Sequence, residues 1–184
     1  MSRRAKPRRE PTLVTARLTL RPLRDADLEA IVANCRDYDI AKMTTRIPHP
    51  YSEADGRAFL ATQRQPGSIN LAVEHTGKLI GICSLFAMPY RSEIGYWFAK
   101  SAWGQGFATE TGRALVIYAF DALELPVIHY RVFIDNPASQ RVARKLGFRR
   151  VGTGISRSLA RGGEVAHIHA VLTAARFRVA SPAL

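Results

Sequence analysis

Glu93-Ile94-Gly95-Tyr96-Trp97-Phe98, followed shortly by Trp103-Gly104-Gln105-Gly106-Phe107-Ala108-Thr109-Glu110, is the stretch whose reading decides the fold. The first part lies in a β-rich run, Arg91–Ala99, and the period changes after the glycines. Ala108, Gly112, Leu115, Val116 and Ala119 share one face of a helix over Phe107–Leu123. Strand, glycine loop and helix thus follow in order. A helix N-terminus has unpaired N–H groups and a partial positive charge, so a glycine-rich entry lets phosphate oxygens approach the backbone. Two nucleotide readings of the loop fail on context. A dinucleotide fingerprint needs a third glycine where Thr109 stands, and the Lys-Ser/Thr pair of a phosphate-binding nucleotide loop is missing.

Upstream, Leu18, Leu20 and Pro22-Leu23 alternate with Thr19 and Arg21 as in a half-buried strand. Asp25 then offers a cap for a helix over Ala26–Arg36 with Leu28, Ile31, Val32 and Cys35 on its apolar face. Pro48-His49-Pro50 forces a turn, and Ser52 with Asp55 starts a helix over Glu53–Gln63. Thr76-Gly77 joins strands Asn70–His75 and Lys78–Phe86 into an antiparallel hairpin, and Pro89 turns the chain into the strand that carries Glu93. Downstream, Val127–Ile134 is β-rich, Pro137–Leu146 is a short helix stopped by Gly147, and Phe148–Gly152 and Glu164–Leu172 are two final strands. No internal repeat or second domain is visible, so residues 11–184 are expected to form one domain behind a flexible basic arm, 1–10.

The 184 residues are 47% hydrophobic and 23% charged, without an apolar run of membrane-spanning length, and the basic start lacks the apolar segment of a secretory signal. A cytoplasmic protein is expected. Cys35 and Cys83 are far apart and lack metal-ligand spacing, which makes them buried free thiols. The net charge is +12, and the arm, with Arg3, Arg4, Lys6, Arg8 and Arg9 against Glu10, leaves +8 on the remainder. Such a surface attracts polyanions, whether nucleic acid, a ribosomal surface or a phosphorylated cofactor.

The two quoted blocks resemble the acetyl-CoA segment of GNAT acetyltransferases, in the form of the RimJ/RimL-type branch. Asn136-Pro137-Ala138-Ser139 with Ala143 and Lys145-Leu146-Gly147-Phe148 resembles that branch's N-x-x-S helix and following strand, and Thr15–Leu23 its opening strand. The likeness runs from about residue 15 to 172. It implies an α/β fold of the α+β type: a central mixed, mainly antiparallel sheet with one parallel pair, flanked by helices on both faces. It also implies an acetyl-CoA-dependent N-acetyltransferase acting on a primary amine, of a protein N-terminus or a small molecule. One departure is Trp103, where the superfamily pattern has Gln or Arg, although Gly106 and Ala108 keep their places. The resemblance implies that Gly104, Gln105, Gly106, Phe107, Ala108 and Thr109 hold the diphosphate. Trp97, Phe98 and Ala99 would border the pantetheine and thioester, with the Phe98 N–H as oxyanion donor, and Asn136, Ser139 and Lys145 would complete the cofactor site, with Arg141 in reach of its phosphates.

Acyl transfer needs a neutral amine, a donor for the carbonyl oxygen and a proton for the thiolate. An α-amine titrates near about 8 and a lysine near about 10.4, so a base must take a proton at neutral pH. Glu93 is the candidate, against the plainer role of capping its strand or pairing with Arg91. Ser139 is the candidate proton donor by resemblance, against an ordinary helix-start serine, and because Val142-Ala143-Arg144 lacks the tyrosine other branches use, the donor is Ser139 or solvent. His167 and His169 share a face of the last strand, but Glu164 points the other way and no cysteine is near, so no metal is expected. His129 and Arg131 form a similar pair without an assigned role. The resemblance implies that residues 24–64 and 153–165 choose the acceptor, and in the first of these regions Asp25, Asp27, Glu29, Asp37, Asp39, Glu53 and Asp55 supply negative charge. The competing reading is a non-catalytic, basic RNA- or ribosome-binding protein on the same fold, though aromatics interleaved with basic residues are missing.

Overall fold

The computed structural model describes residues 11–62, 68–88 and 91–180; the basic arm, Gln63 and the Pro89 turn lie outside the described residues. Eight strands form one sheet: β1 (Leu13–Val14), β2 (Thr19–Pro22), β3 (Ser68–His75), β4 (Lys78–Met88), β5 (Arg91–Phe98), β6 (Val127–Phe133), β7 (Arg149–Ser158) and β8 (Gly163–Thr173). Their order is β1-β2-β3-β4-β5-β6-β8-β7, and every neighbouring pair is antiparallel except β5–β6. The helices are α1 (Leu28–Cys35), α2 (Tyr38–Ala41), α3 (Glu53–Thr62), α4 (Phe107–Ile117), α5 (Pro137–Lys145) and α6 (Ala174–Ala180). The mixed sheet of the sequence reading is present.

One face of the sheet contributes Leu20, Leu71, Val73, Cys83, Leu85, Ile94, Ile128 and Leu172 to a core closed by Phe107, Leu115, Val116 and Phe120 near α4 and by Ala143 and Leu146 of α5. Gly112 is what lets α4 and α5 touch, since a Cβ there would lie 2.6 Å from Leu146 Cδ1. The opposite face carries Ile82 and Trp97 under Ile31, Val32, Cys35 and Tyr51 from α1 and the α3 entry. Helices therefore cover both faces, and the period-3.6 burial of α4 matches its packing on one of them.

Several boundaries differ from the sequence reading, for local reasons. Asp25 does not cap the first helix; Asp27 Oδ2 accepts the Arg24 N–H at 2.8 Å, and a 3-10 turn over Asp25–Asp27 precedes α1. Asp27 is buried and paired with Arg21, which also bonds Glu74 at 2.7 Å. The α4 segment widens after Ile117 into a π turn over Tyr118–Ala122. The last two strands are longer than read, because Arg and Gly dilute the apolar alternation of residues on β7 that face solvent.

Candidate active site

The parallel pair is short. Ser92, Ile94 and the residue between them pair with β6, and pairing stops at Ile94 opposite Tyr130. Beyond that point β5 continues along β4 alone, through Tyr96 opposite Cys83 and Phe98 opposite Gly81. The gap this opens is part of a cavity of about 1310 Å³. Its direction of backbone polarity follows from the ladder. Ala99 donates its N–H to the Ile80 carbonyl at 2.8 Å, and alternate residues of an antiparallel strand turn their backbone groups the other way. The N–H groups of Tyr96 and Phe98 therefore point away from β4, into the gap. The Phe98 carbonyl is taken at 2.8 Å by Trp103 Nε1, so the tryptophan that departs from the superfamily pattern ties the loop to the end of β5.

At the α4 entry Gly106 has φ of +83°, a conformation that favours glycine. Thr109 and Glu110 donate to the Gly106 carbonyl at 3.0 and 3.1 Å, which leaves Phe107 and Ala108 N–H without a backbone acceptor among the described residues. Gly104, Gly106, Phe107, Ala108 and Thr109 line the cavity, and so do Arg141 and Lys145 of α5. Unpaired amides, a helix dipole and two cations suit a diphosphate. The turn is braced by Arg17, whose Nη2 lies 2.7 Å from Glu110 and whose Nη1 donates to the Gln105 carbonyl at 3.0 Å. Burial raises the Glu110 carboxyl, but hydrogen bonds from Thr15 and Arg17 outweigh it and hold it below the ordinary range. Nothing in the sequence marked Arg17 for this task, since it lies 93 residues from Glu110.

Ser139 sits at the start of α5, where Asn136 Oδ1 accepts its N–H at 3.0 Å and Pro137 opens the helix. Its Oγ lies 2.6 Å from Tyr130 Oη and 3.1 Å from Tyr96 Oη, and the two phenols are 2.8 Å apart. Three hydroxyls hold three protons. If each donates to the next in a ring none is free, whereas the chain Tyr130 to Tyr96 to Ser139 leaves the serine proton for a further acceptor. Burial pushes both phenols above their usual range, so they stay protonated. The sequence reading missed both tyrosines. A signal existed: Tyr130 sits on the apolar side of β6 between Ile128 and Val132, and a buried phenol needs a partner.

Glu93 lies on the opposite face of β5, buried, with Oε2 accepting from Arg131 Nε at 2.7 Å. Its partner among the described residues is Arg131, from the pair that had no assigned role, and the side chain of Arg91 lies outside the described residues. On the same face His129 Nδ1 and His169 Nε2 are 2.8 Å apart with stacked rings, and the buried His167 is 3.0 Å from Ser156 Oγ. Glu93, Trp97, Phe98, Gly104, Gly106, Phe107, Ala108, Thr109, Asn136, Ser139 and Lys145 all line the one cavity. Ala99 and Gln105 do not: the first spends its N–H on Ile80, and the second turns its amide to the Ser101 carbonyl at 2.7 Å. Among the described residues, no group of three or more His, Cys, Asp or Glu could hold a metal ion, and no helix is long and apolar enough to cross a membrane.

The acetyltransferase (GNAT) domain family matches residues 17–149, which span the strand, loop and α5 helix just described. The chain belongs to the GNAT acetyltransferase family. This GNAT chain is 36% identical over 154 residues to the uncharacterized N-acetyltransferase YoaA of Bacillus subtilis, covering 77% of its own length and 85% of the relative's. Among solved structures it is similar to Mycobacterium smegmatis RimJ in complex with CoA-disulfide, with a TM-score of 0.78 at 22% identity over 94% of this chain and 95% of that one. It is also similar to spermidine N-acetyltransferase of Vibrio cholerae in complex with CoA and spermine, with a TM-score of 0.76 at 22% identity over 89% and 99%. The GNAT chain is an acyltransferase, and the non-catalytic alternative is set aside.

Proposed function

We propose that residues 11–184 are one catalytic domain that uses acetyl-CoA to acetylate a primary amine, with the diphosphate at the α4 entry and the thioester in the gap between β5 and β6. The observation that carries this reading is the gap itself: backbone donors line it, the Ser139 hydroxyl cluster flanks one side and Glu93 the other. Acetyl-CoA supplies an activated acyl carbon. The Phe98 N–H stabilises the charge that develops on the carbonyl oxygen. Glu93 takes a proton from the ammonium, directly or through water, with Oε1 unengaged among the described residues while Oε2 is held by Arg131. As the new N–C bond forms and the C–S bond breaks, Ser139 gives its proton to the sulfur and is refilled from Tyr96 and Tyr130. The excess proton of the amide nitrogen passes through solvent to restore the hydroxyl that the relay left deprotonated, and the proton taken by Glu93 leaves to solvent.

A protein N-terminal amine and a small-molecule amine both meet these demands, and the buried free thiols Cys35 and Cys83 suit a reducing, cytoplasmic setting. The basic arm is a further candidate contact for a ribosomal surface. The test is calorimetric titration with acetyl-CoA, followed by thiol release in the presence of amines. A Gly106→Glu variant that stays folded should lose binding, because a carboxylate and a strained φ would occupy the diphosphate position. Glu93→Gln should lower the rate most on the acid side; an unchanged rate across pH removes Glu93 as the base. No binding by the intact protein would sink the whole reading.

A further inference from the structure

Resting on that transferase reading, we propose that the acceptor is a primary amine that also carries a carboxylate, and that Arg46 binds it. The acidic side chains lining the acceptor half are all engaged. Glu93 bonds Arg131 at 2.7 Å, Asp39 bonds Lys42 at 2.5 Å and Lys100 at 2.6 Å, and Asp135 bonds Arg161 at 2.7 Å. Asp55 is held at the start of α3 by the Ser52 N–H at 2.8 Å and the Ser52 hydroxyl, where the positive end of the helix offsets its charge. Among the described residues, a second ammonium, as in a polyamine, meets no unengaged carboxylate there.

Arg46 is the opposite case. It lines the cavity and is exposed, and no carboxylate pairs with it among the described residues. Its guanidinium stands 4.6 Å from the centroid of the Phe86 ring. Phe86 lies directly opposite Glu93 in the β4–β5 ladder, and its ring edge reaches the space over Gly95. The unpaired cation is thus placed one strand away from the proposed base. Stacking on an aromatic face fixes the plane of a guanidinium and leaves its edge N–H groups for a planar anion, which a carboxylate matches with two parallel hydrogen bonds. The amine would lie toward Glu93 and the carboxylate toward Arg46.

The experiment compares thiol release for acceptors on one skeleton: L-methionine, L-methioninamide and the dipeptide Met-Glu, with spermidine as the cationic amine. The amide's amine is the less basic and so the more often neutral, which gives it the chemical advantage. A higher kcat/KM for methionine or Met-Glu than for the amide and spermidine supports the inference, and the better of the two tells whether a free amino acid or an acidic peptide supplies the carboxylate. Arg46→Ala should then raise KM for that acceptor about ten-fold and collapse its preference over the amide, and Arg46→Lys should restore part of it. Equal or better use of the amide or spermidine overturns the inference and leaves the transferase reading standing, as does an Arg46→Ala effect that is the same for every acceptor. Absence of thiol release with every amine overturns both.

Discussion

Replacing Tyr130 by phenylalanine isolates the hydroxyl cluster at Ser139. The ring is buried at 2% exposure and packs 5.3 Å from Phe148 and 6.3 Å from Tyr96, so phenylalanine keeps the packing and removes only the oxygen. That oxygen makes the 2.6 Å contact to Ser139 and the 2.8 Å contact to Tyr96. A neutral hydrogen bond contributes about 1 kcal/mol net, so unfolding in urea should show a loss of roughly that size. If the bond also aims the serine proton at the sulfur, kcat should fall about ten-fold, the equivalent of about 1.4 kcal/mol, while KM for acetyl-CoA stays near its original value. Thiol release measures both. The decisive comparison is with Ser139→Ala: Tyr130 acts through Ser139, so the double variant should be no slower than Ser139→Ala alone. Independent, multiplicative losses would refute the relay, as would an unchanged kcat in Tyr130→Phe. Because burial raises both phenols, neither should produce a fall in kcat up to about pH 10, near the ordinary tyrosine value.

Arg21→Met should cost about 3 kcal/mol in urea unfolding, because it leaves the buried Asp27 without its cation and Glu74 without its 2.7 Å bond. Burial raises the Asp27 carboxyl, but bonds from Arg21 and the Arg24 N–H outweigh it and hold it below the ordinary value. That contribution is therefore complete above about pH 4 and is lost as pH falls through the depressed folded value, and Arg21→Met should flatten this acid limb. Cys35 is buried and pushed up to about 12, and the buried Cys83 is raised further by the same cause, so neither thiol should react with a disulfide reagent in the native protein and both should react after denaturation. Rapid labelling of native protein would contradict that burial.

What the sequence made legible is local. The glycine spacing at 104–106 and the apolar period behind it specify a strand, a loop and a helix without help from the rest of the chain, and Thr76-Gly77 sets the β3–β4 hairpin in the same way. What it hid depends on strand register. Ser139 meets Tyr96 across 43 residues and Glu93 meets Arg131 across 38, and neither pairing can be read before the β5–β6 offset is known. Short elements such as β1 and α2 carry too few residues to show a period. Ala99 followed the motif into the proposed cofactor site, but a motif names neighbours in sequence, and the ladder turned its N–H inward to β4.

The two-sided character of the site follows from one property of β5, its period of two. Ile94, Tyr96 and Phe98 send their side chains to the α4 and α5 face, and the same parity directs the Tyr96 and Phe98 amides into the gap. Glu93, Gly95 and Trp97 take the other parity and face α1 and α3. Gly95 keeps that face open between the acid and the indole, since a Cβ there would press the Phe86 ring at 3.2 Å. In the proposed reaction, donor chemistry and acceptor chemistry are thus separated by the thickness of one strand and meet only where β6 has moved away. A slip of one residue in the β4–β5 register would exchange the two sets, placing Glu93 beside Ser139 and turning Tyr96 toward the acceptor. The anchors at the far end of β5, Ala99 N–H on Ile80 and Trp103 on the Phe98 carbonyl, guard against that slip, which gives Trp103 a structural duty at the end of the strand.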